Sequence, residues 1–209
     1  MNICIVGNGP SSLKTRNGEF IDSCDIVVRI GHCVIEGYEE YIGSKLDIYA
    51  GRWKKLEVHP DLCSKADKIW LLYPPPPHNW HLSTLGSSSI GREKLALERM
   101  KVDTSKIMYV PEQIQEDYKS RYAGSLPKMS DALCGFNIPA SGTVVIDMVL
   151  HFYPDSKIYV TGFDGYFDNT TYYFDKGRTI GKHFTHSHSA IPQYVQLRKL
   201  IASKRIHVL

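Results

Sequence analysis

At 209 residues, 43% hydrophobic and 22% charged, the chain has an ordinary globular composition and enough length to bury a full core. A formal net charge of +3, carried by scattered basic residues, excludes a nucleic-acid footprint built on a basic stripe. No stretch approaches the roughly 20 apolar residues of a membrane span, and no basic segment followed by an apolar run opens the sequence.

Five cysteines (Cys4, Cys24, Cys33, Cys63, Cys134) are dispersed with no CxxC pair, which points to a reducing compartment and away from structural zinc. The expected setting is cytoplasmic, with peripheral membrane contact and homo-oligomerisation left open. Cys4 lies in an apolar run and is expected to be a buried thiol.

The run Asn2–Val6 reads as a buried first strand that breaks into Gly7-Asn8-Gly9-Pro10-Ser11-Ser12. A strand followed by a glycine turn is the usual opening of a nucleotide-binding α/β domain. The turn lacks the third glycine of the dinucleotide fingerprint, and Pro10 removes an N–H that a pyrophosphate would use. No acidic residue for a ribose follows the second strand, where Arg29-Ile30-Gly31-His32 stands. A different nucleotide, or a tight turn with no ligand, remains open at this point.

Residues 24–30 read as the second strand, 46–50 as the third and 68–73 as the fourth, stopped by four prolines at 74–77. The proline run and the following His78, Asn79, Trp80 and His81 predict an extended substrate-side loop. An exposed helix over 92–100, a short strand over 106–110 and a polar helix from Pro111 to about Tyr122 follow. The span 74–128 interrupts the strand–helix alternation, so within a single domain of residues 1–209 it is expected to be a lid or acceptor-side insertion.

The stretch from Pro139 to Tyr172 carries the densest signal. Ser141 is placed to cap a helix, and Gly142 leaves its first turn open to an anion, which the unpaired N–H groups there would bind. Val144, Val145, Met148, Val149 and Phe152 share one helical face. The strand Lys157–Thr161 then delivers Gly162 and Asp164 to its carboxyl end, where open α/β sheets hold ligands. A histidine group (His183, His186, His188) precedes a last helix, which Ser189 can cap and which tolerates Pro192 in its first turn. Its apolar face is read as Tyr194, Leu197 and Ile201, and residues 205–209 as the closing strand. The histidines lack further ligands at metal spacing, and a neutral imidazole there could instead act as a general base.

Together these segments resemble the bacterial sialyltransferases of glycosyltransferase family 42 and, more distantly, the animal sialyltransferases of family 29. The resemblance runs through Ile5-Val6-Gly7-Asn8-Gly9-Pro10-Ser11, Asp25-Ile26-Val27-Val28-Arg29, Ser141-Gly142 through Thr161-Gly162-Phe163-Asp164-Gly165-Tyr166, and Thr171-Tyr172-Tyr173-Phe174-Asp175. The family's late histidine, eighteen residues before an isoleucine of the last strand, is matched by His188 before Ile206. Residues from about 52 to 128 carry no match.

The resemblance implies an α/β fold with a Rossmann-like parallel sheet flanked by helices. It implies inverting, metal-independent transfer of sialic acid or a related acidic sugar from a CMP-sugar to a glycan or glycolipid hydroxyl. No cofactor is expected, and the only candidate acidic pair, Asp164 and Asp168, is not a D-x-D. His188 becomes the base, with His186 as the alternative under a shifted alignment, and Tyr166 and Tyr172 hold the leaving phosphate. Substrate contacts are expected from Asn8, Gly9, Ser11, Gly31, Gly51, Ser141, Gly142, Gly162 and Asp164. The chain departs from the families at Gly31 and at Ala50 or Gly51, where asparagines are expected, at Ile138 for an arginine, and at Gln193 for the acid of family 29. Two alternatives stand beside this reading: a same-fold transferase with another nucleotide-sugar, and a non-catalytic nucleotide- or carbohydrate-binding protein.

Overall fold

The computed structural model describes residues 1–52, 56, 58–72, 97–98, 101–122, 139–164, 172–174 and 190–209. Seven parallel strands form one sheet: β1 (Asn2–Val6), β2 (Ile26–Ile30), β3 (Ile48–Gly51), β4 (Lys68–Leu71), β5 (Ile107–Tyr109), β6 (Lys157–Thr161) and β7 (Ile206–Val208). Their order across the sheet is β5-β4-β3-β2-β1-β6-β7. The described helices are α1 (Gly18–Ser23), α2 (Glu39–Ile42), α3 (Pro60–Lys65), α4 (Glu112–Tyr122), α5 (Ser141–Phe152) and α6 (Ala190–Ala202).

Parallel strands buried on both faces need apolar residues of both parities, and β1 supplies them. Ile3 and Ile5 face one core with Val28, Ile30, Ile48, Trp70, Ile158 and Val160, under α4, α5 and α6. Cys4 and Val6 face the other side with Val27, Ile21 of α1 and Ile42 of α2. A third cluster joins Tyr49, Ile69 and Leu71 to Leu62 and Cys63 of α3. Helices therefore cover both faces, as the Rossmann-like expectation required. Cys4, Cys24, Cys33 and Cys63 are free and buried, Cys4 completely. Cys134 lies outside the described residues. Among the described residues no helix is long and apolar enough to cross a membrane.

Two strand starts shift inward. Cys24 caps the end of α1, and the Asp25 carboxylate accepts from Asn2 N–H at 2.7 Å, so β2 begins only at Ile26. Asp47 turns its carboxylate onto Val27 N–H at 2.7 Å, so β3 begins after it. Within the span 74–128 the described strand and helix belong to the main body: β5 pairs with β4 in register Ile69↔Ile107, and Ile114 and Tyr118 of α4 are core residues. Leu97, within the expected helix over 92–100, is buried against the third cluster.

Strand order places the site. From β1 the chain winds outward through β2, β3, β4 and β5, then returns to the other side of β1 as β6 and β7. Connections diverge between β1 and β6, and the carboxyl edge there is the ligand crevice of open α/β sheets.

Candidate active site at the carboxyl edge of β1 and β6

The crevice is made by backbone packed against backbone. Gly7 N–H donates to Thr161 O at 2.8 Å and Gly9 N–H to Gly162 O at 2.9 Å. A Cβ on Gly7 would meet Gly162 O at 2.5 Å, and one on Gly162 would meet Gly7 O at 2.6 Å. Gly162 also has φ +70°, a region that L side chains rarely adopt. Only glycine at both places lets the two strand ends approach this closely.

The loop after β1 is held open by side chains from elsewhere. Residues Pro10–Leu13 form one turn of 3₁₀ helix whose Ser11 N–H donates to Asp164 Oδ2 at 3.0 Å. The same carboxylate lies so close to Gly9 that any Cβ there would collide with it. Asp164 thus fixes the loop's shape. Asn8 donates from Nδ2 to Ile30 O at 2.8 Å, while its Oδ1 is buried without a hydrogen-bond partner among the described residues. A buried acceptor left unsatisfied is uncommon and marks a position where a ligand donor would be favoured.

Gly31 and Gly51 complete the neighbouring edge. Gly31 N–H donates to Ala50 O at 2.8 Å and Gly31 O accepts from Tyr49 O–H at 2.7 Å. Gly31 sits at φ +62°, and a Cβ there would be 3.9 Å from Asn8 Nδ2. Asparagine is the non-glycine residue most at home in that backbone region, so the families' asparagine fits the conformation that this chain fills with glycine.

Helix α5 brings its N-terminus to the same place, because a Cβ on Gly142 would meet the ring of Phe163 at 2.7 Å. Val144, Val145, Met148 and Val149 are fully buried as expected, and Phe152 is half-buried with its ring 5.9 Å from that of Trp70. The expected cap is corrected. Ala140 occupies the N-cap and Ser141 is already the first helical residue, with no side-chain cap of its own. Gln193 of α6, 3% exposed, supplies the oxygen instead, accepting from Ala140 N–H at 2.7 Å and Thr143 Oγ1 at 2.8 Å.

The apolar face of α6 is corrected with it. Leu197, Leu200 and Ile201 pack on the core, whereas Tyr194 is 40% exposed. The inward stripe runs through positions 193, 196, 197, 200 and 201, one residue away from Tyr194. Gln196 Nε2 donates to Asp147 Oδ1 at 2.9 Å, and Tyr118 O–H donates to Asp147 Oδ2 at 2.8 Å. Asp147 thereby joins α4, α5 and α6.

Tyr172 reaches the crevice through its neighbour. Tyr173 N–H donates to Asn8 O at 3.0 Å, pinning residues 172–174 against the glycine loop. Tyr173 itself is buried, and its hydroxyl donates to Val34 O. Burial and then nearby Cys33 push its phenol above the ordinary value, so it stays a neutral donor. Tyr172 is half-exposed and stacks on Phe174 with ring centroids 5.2 Å apart. Asn8, Gly9, Ser11, Gly31, Gly51, Ser141, Gly142, Gly162, Asp164 and Tyr172 therefore share one edge of the molecule. Tyr166 and His188, with His183 and His186, lie outside the described residues.

Two features carried little sequence signal. Arg29 is fully buried and closes the carboxyl end of α2, donating to Ile42 O and Gly43 O from Nη2 and to Lys45 O from Nε. Its place in D-x-V-x-R is explained by that clamp. His32 Nδ1 and His59 Nε2 lie 2.8 Å apart beside Gly31, so one ring donates and the other accepts. Twenty-seven residues separate them, and no local pattern pairs them.

A model of glycosyltransferase family 29, the sialyltransferases, matches residues 2–205. The chain belongs to this family. The match falls on the family that the motifs resemble more distantly, and this sialyltransferase-family protein is accordingly a glycosyltransferase. Solved structures agree on the fold. A mammalian sialyltransferase superposes with TM-score 0.67 at 16% identity, covering 100% of this chain and 68% of that one. Another mammalian sialyltransferase structure, in complex with Gal-beta-1-3GalNAc-ortho-nitrophenol, gives 0.62 at 17% identity, with 100% and 68% covered. The Campylobacter jejuni sialyltransferase CstII, in complex with a substrate analogue, cytidine-5'-monophosphate, gives 0.60 at 16% identity, with 100% and 79% covered. A search of curated proteins finds no match.

Proposed function

We propose that this family 29 protein transfers sialic acid, or a related acidic sugar, from a CMP-sugar to a glycan hydroxyl with inversion and without a metal ion. The observation that carries the reading is the family match over 2–205 on a chain whose glycine loop, β6 end and α5 N-terminus form one crevice. The buried acceptor Asn8 Oδ1 and the positive end of α5 suit a ligand with both hydrogen-bond donors and a phosphate. The similar CstII structure is a complex with cytidine-5'-monophosphate, and the mammalian one a complex with Gal-beta-1-3GalNAc-ortho-nitrophenol, which supports the same pair of substrate classes here.

In this reading His188 takes the acceptor hydroxyl's proton as the oxygen attacks the anomeric carbon. The new C–O bond forms while the bond from that carbon to the phosphate oxygen breaks, and CMP leaves with the electron pair. The phenols of Tyr172 and Tyr166 donate to the phosphate as charge builds there, a task often given to a metal ion. A thermal-shift panel of CMP, CDP, UDP, GDP and NAD tests the donor. CMP at a hundred times its dissociation constant adds about 2.7 kcal/mol of stability. Protection by UDP with none by CMP would favour the other-donor alternative, and turnover abolished by EDTA and restored by manganese would refute metal independence.

A further inference from the structure

We propose that His32 and His59 are a specificity-determining pair of the donor site, placing one shared positive charge against an anionic oxygen of the donor's phosphate or of its sugar's acid group. The inference rests on the CMP-donor reading above. Position 31 is bare where the other glycines of this edge are crowded. A Cβ on Gly7, Gly9, Gly142 or Gly162 would collide with its surroundings. Among the described residues, one on Gly31 would meet only Asn8 Nδ2, at 3.9 Å. The crevice therefore continues past Asn8 to the carboxyl end of β2. Asn8 offers an unsatisfied acceptor, Oδ1, which suits a hydroxyl or amine of a ligand and repels an anionic oxygen. A donor with two acid groups needs positive charge from elsewhere, and the residue after Gly31 is His32.

The fold turns that histidine into a pair. His32 Nδ1 lies 2.8 Å from His59 Nε2, the rings meet edge to face, and both are half-exposed. The bond ties the end of β2 to the segment entering α3, but amide side chains would tie it equally. What imidazoles add is a proton that comes and goes near neutral pH. One added proton keeps the N–H···N bond, because the protonated ring donates to the neutral one. A second would set N–H against N–H, so the pair takes one positive charge and resists two. The titratable groups around it are Cys33, Tyr49 of β3, Cys63 of α3 and Tyr173. Burial holds both thiols up at about 11 and both phenols higher still, so all four stay neutral. The charged neighbours are Arg52 after β3, Asp61 of α3 and Arg29, whose guanidinium is buried on the end of α2.

A double variant of the full chain, His32→Gln with His59→Gln, keeps hydrogen-bonding groups in place and removes the titrating charge. Calorimetric titration with CMP, CMP-sialic acid and cytidine compares it with wild type at about pH 6 and about pH 8, either side of the ordinary imidazole value. The phosphate's own titration is common to both proteins and drops out of their ratio. At the lower pH the variant should bind the anionic ligand about tenfold more weakly than wild type, and at the higher pH within about twofold. Cytidine, which has no acid group, should bind both proteins alike at either pH. Weakening with CMP assigns the charge to the phosphate, and weakening with CMP-sialic acid alone assigns it to the sugar's carboxylate. In wild type, an NMR titration of the two rings should move its midpoint up by about one pH unit when that ligand is bound, a readout independent of how the variant folds. An unmoved midpoint, the same ratio at both pH values, or equal weakening with cytidine would overturn the inference while leaving the donor reading intact. A wild-type protein that binds neither CMP nor CMP-sialic acid would overturn both.

Discussion

The approach of Gly7 to Gly162 can be measured by giving Gly162 a methyl group and comparing it with a glycine that has room. Gly162 (φ +70°) and Gly37 (φ +83°) share the left-handed backbone region, where an L residue costs about 1–2 kcal/mol. Only Gly162 has neighbours: its Cβ would stand 2.6 Å from Gly7 O and 3.1 Å from Gly9 N, whereas Gly37 has nothing within 4 Å. Those neighbours are backbone atoms that cannot rotate away, so overpacking adds roughly 1–3 kcal/mol at Gly162 alone. For a chain of this length each kcal/mol moves the melting temperature by about 2–4 °C. Gly162→Ala should therefore melt roughly 10 °C below wild type and Gly37→Ala roughly 4 °C below. Differential scanning calorimetry without ligand gives the comparison. A CMP titration of both variants then tests the site, since only Gly162→Ala parts the walls of the crevice and should lose ligand protection. Equal melting temperatures for the two variants would show that β1 and β6 do not meet as tightly as described.

The adjacent tyrosines should separate chemistry from support. Tyr172→Phe is expected to keep the melting temperature and lower turnover about tenfold to a thousandfold, the effect of losing one donor to developing charge. Tyr173→Phe loses the bond to Val34 O and should cost about 1 kcal/mol of stability, read by denaturant titration. Asp164→Ala frees Ser11 N–H and should destabilise by about 1–2 kcal/mol, the usual cost of a lost cap, with faster amide exchange at Ser11. At Asp22, burial pulls the carboxyl pKa up, but bonds from Lys45 and Ser44 outweigh it, so the folded value lies below the ordinary 3.8. Its contribution is present above that ordinary value and is lost as pH falls through the folded one. The stability gap between wild type and Asp22→Asn should accordingly shrink below about pH 4, and a gap that widens there would reverse the sign.

Much of the architecture was legible because parallel strands announce themselves. NICIV and KIYVT are apolar runs of the right length, and the glycine turn after one and Gly-Phe-Asp after the other mark carboxyl ends. The face Val144, Val145, Met148, Val149 was equally plain from 3.6-residue spacing. Those signals are local, carried within one element by the residues that form it. What the tertiary structure decided is what depends on partners distant in sequence. That the Asp164 carboxylate holds the glycine loop rests on Ser11, 153 residues away. Ser141 looked like a cap until Gln193 arrived from another helix and shifted the boundary to Ala140. The pairing of strand 107–109 with β4 is likewise decided by the fold, because nothing in its own residues says that β4 lies beside it. A buried polar atom must find a partner wherever the fold offers one, and the sequence records only that the atom exists.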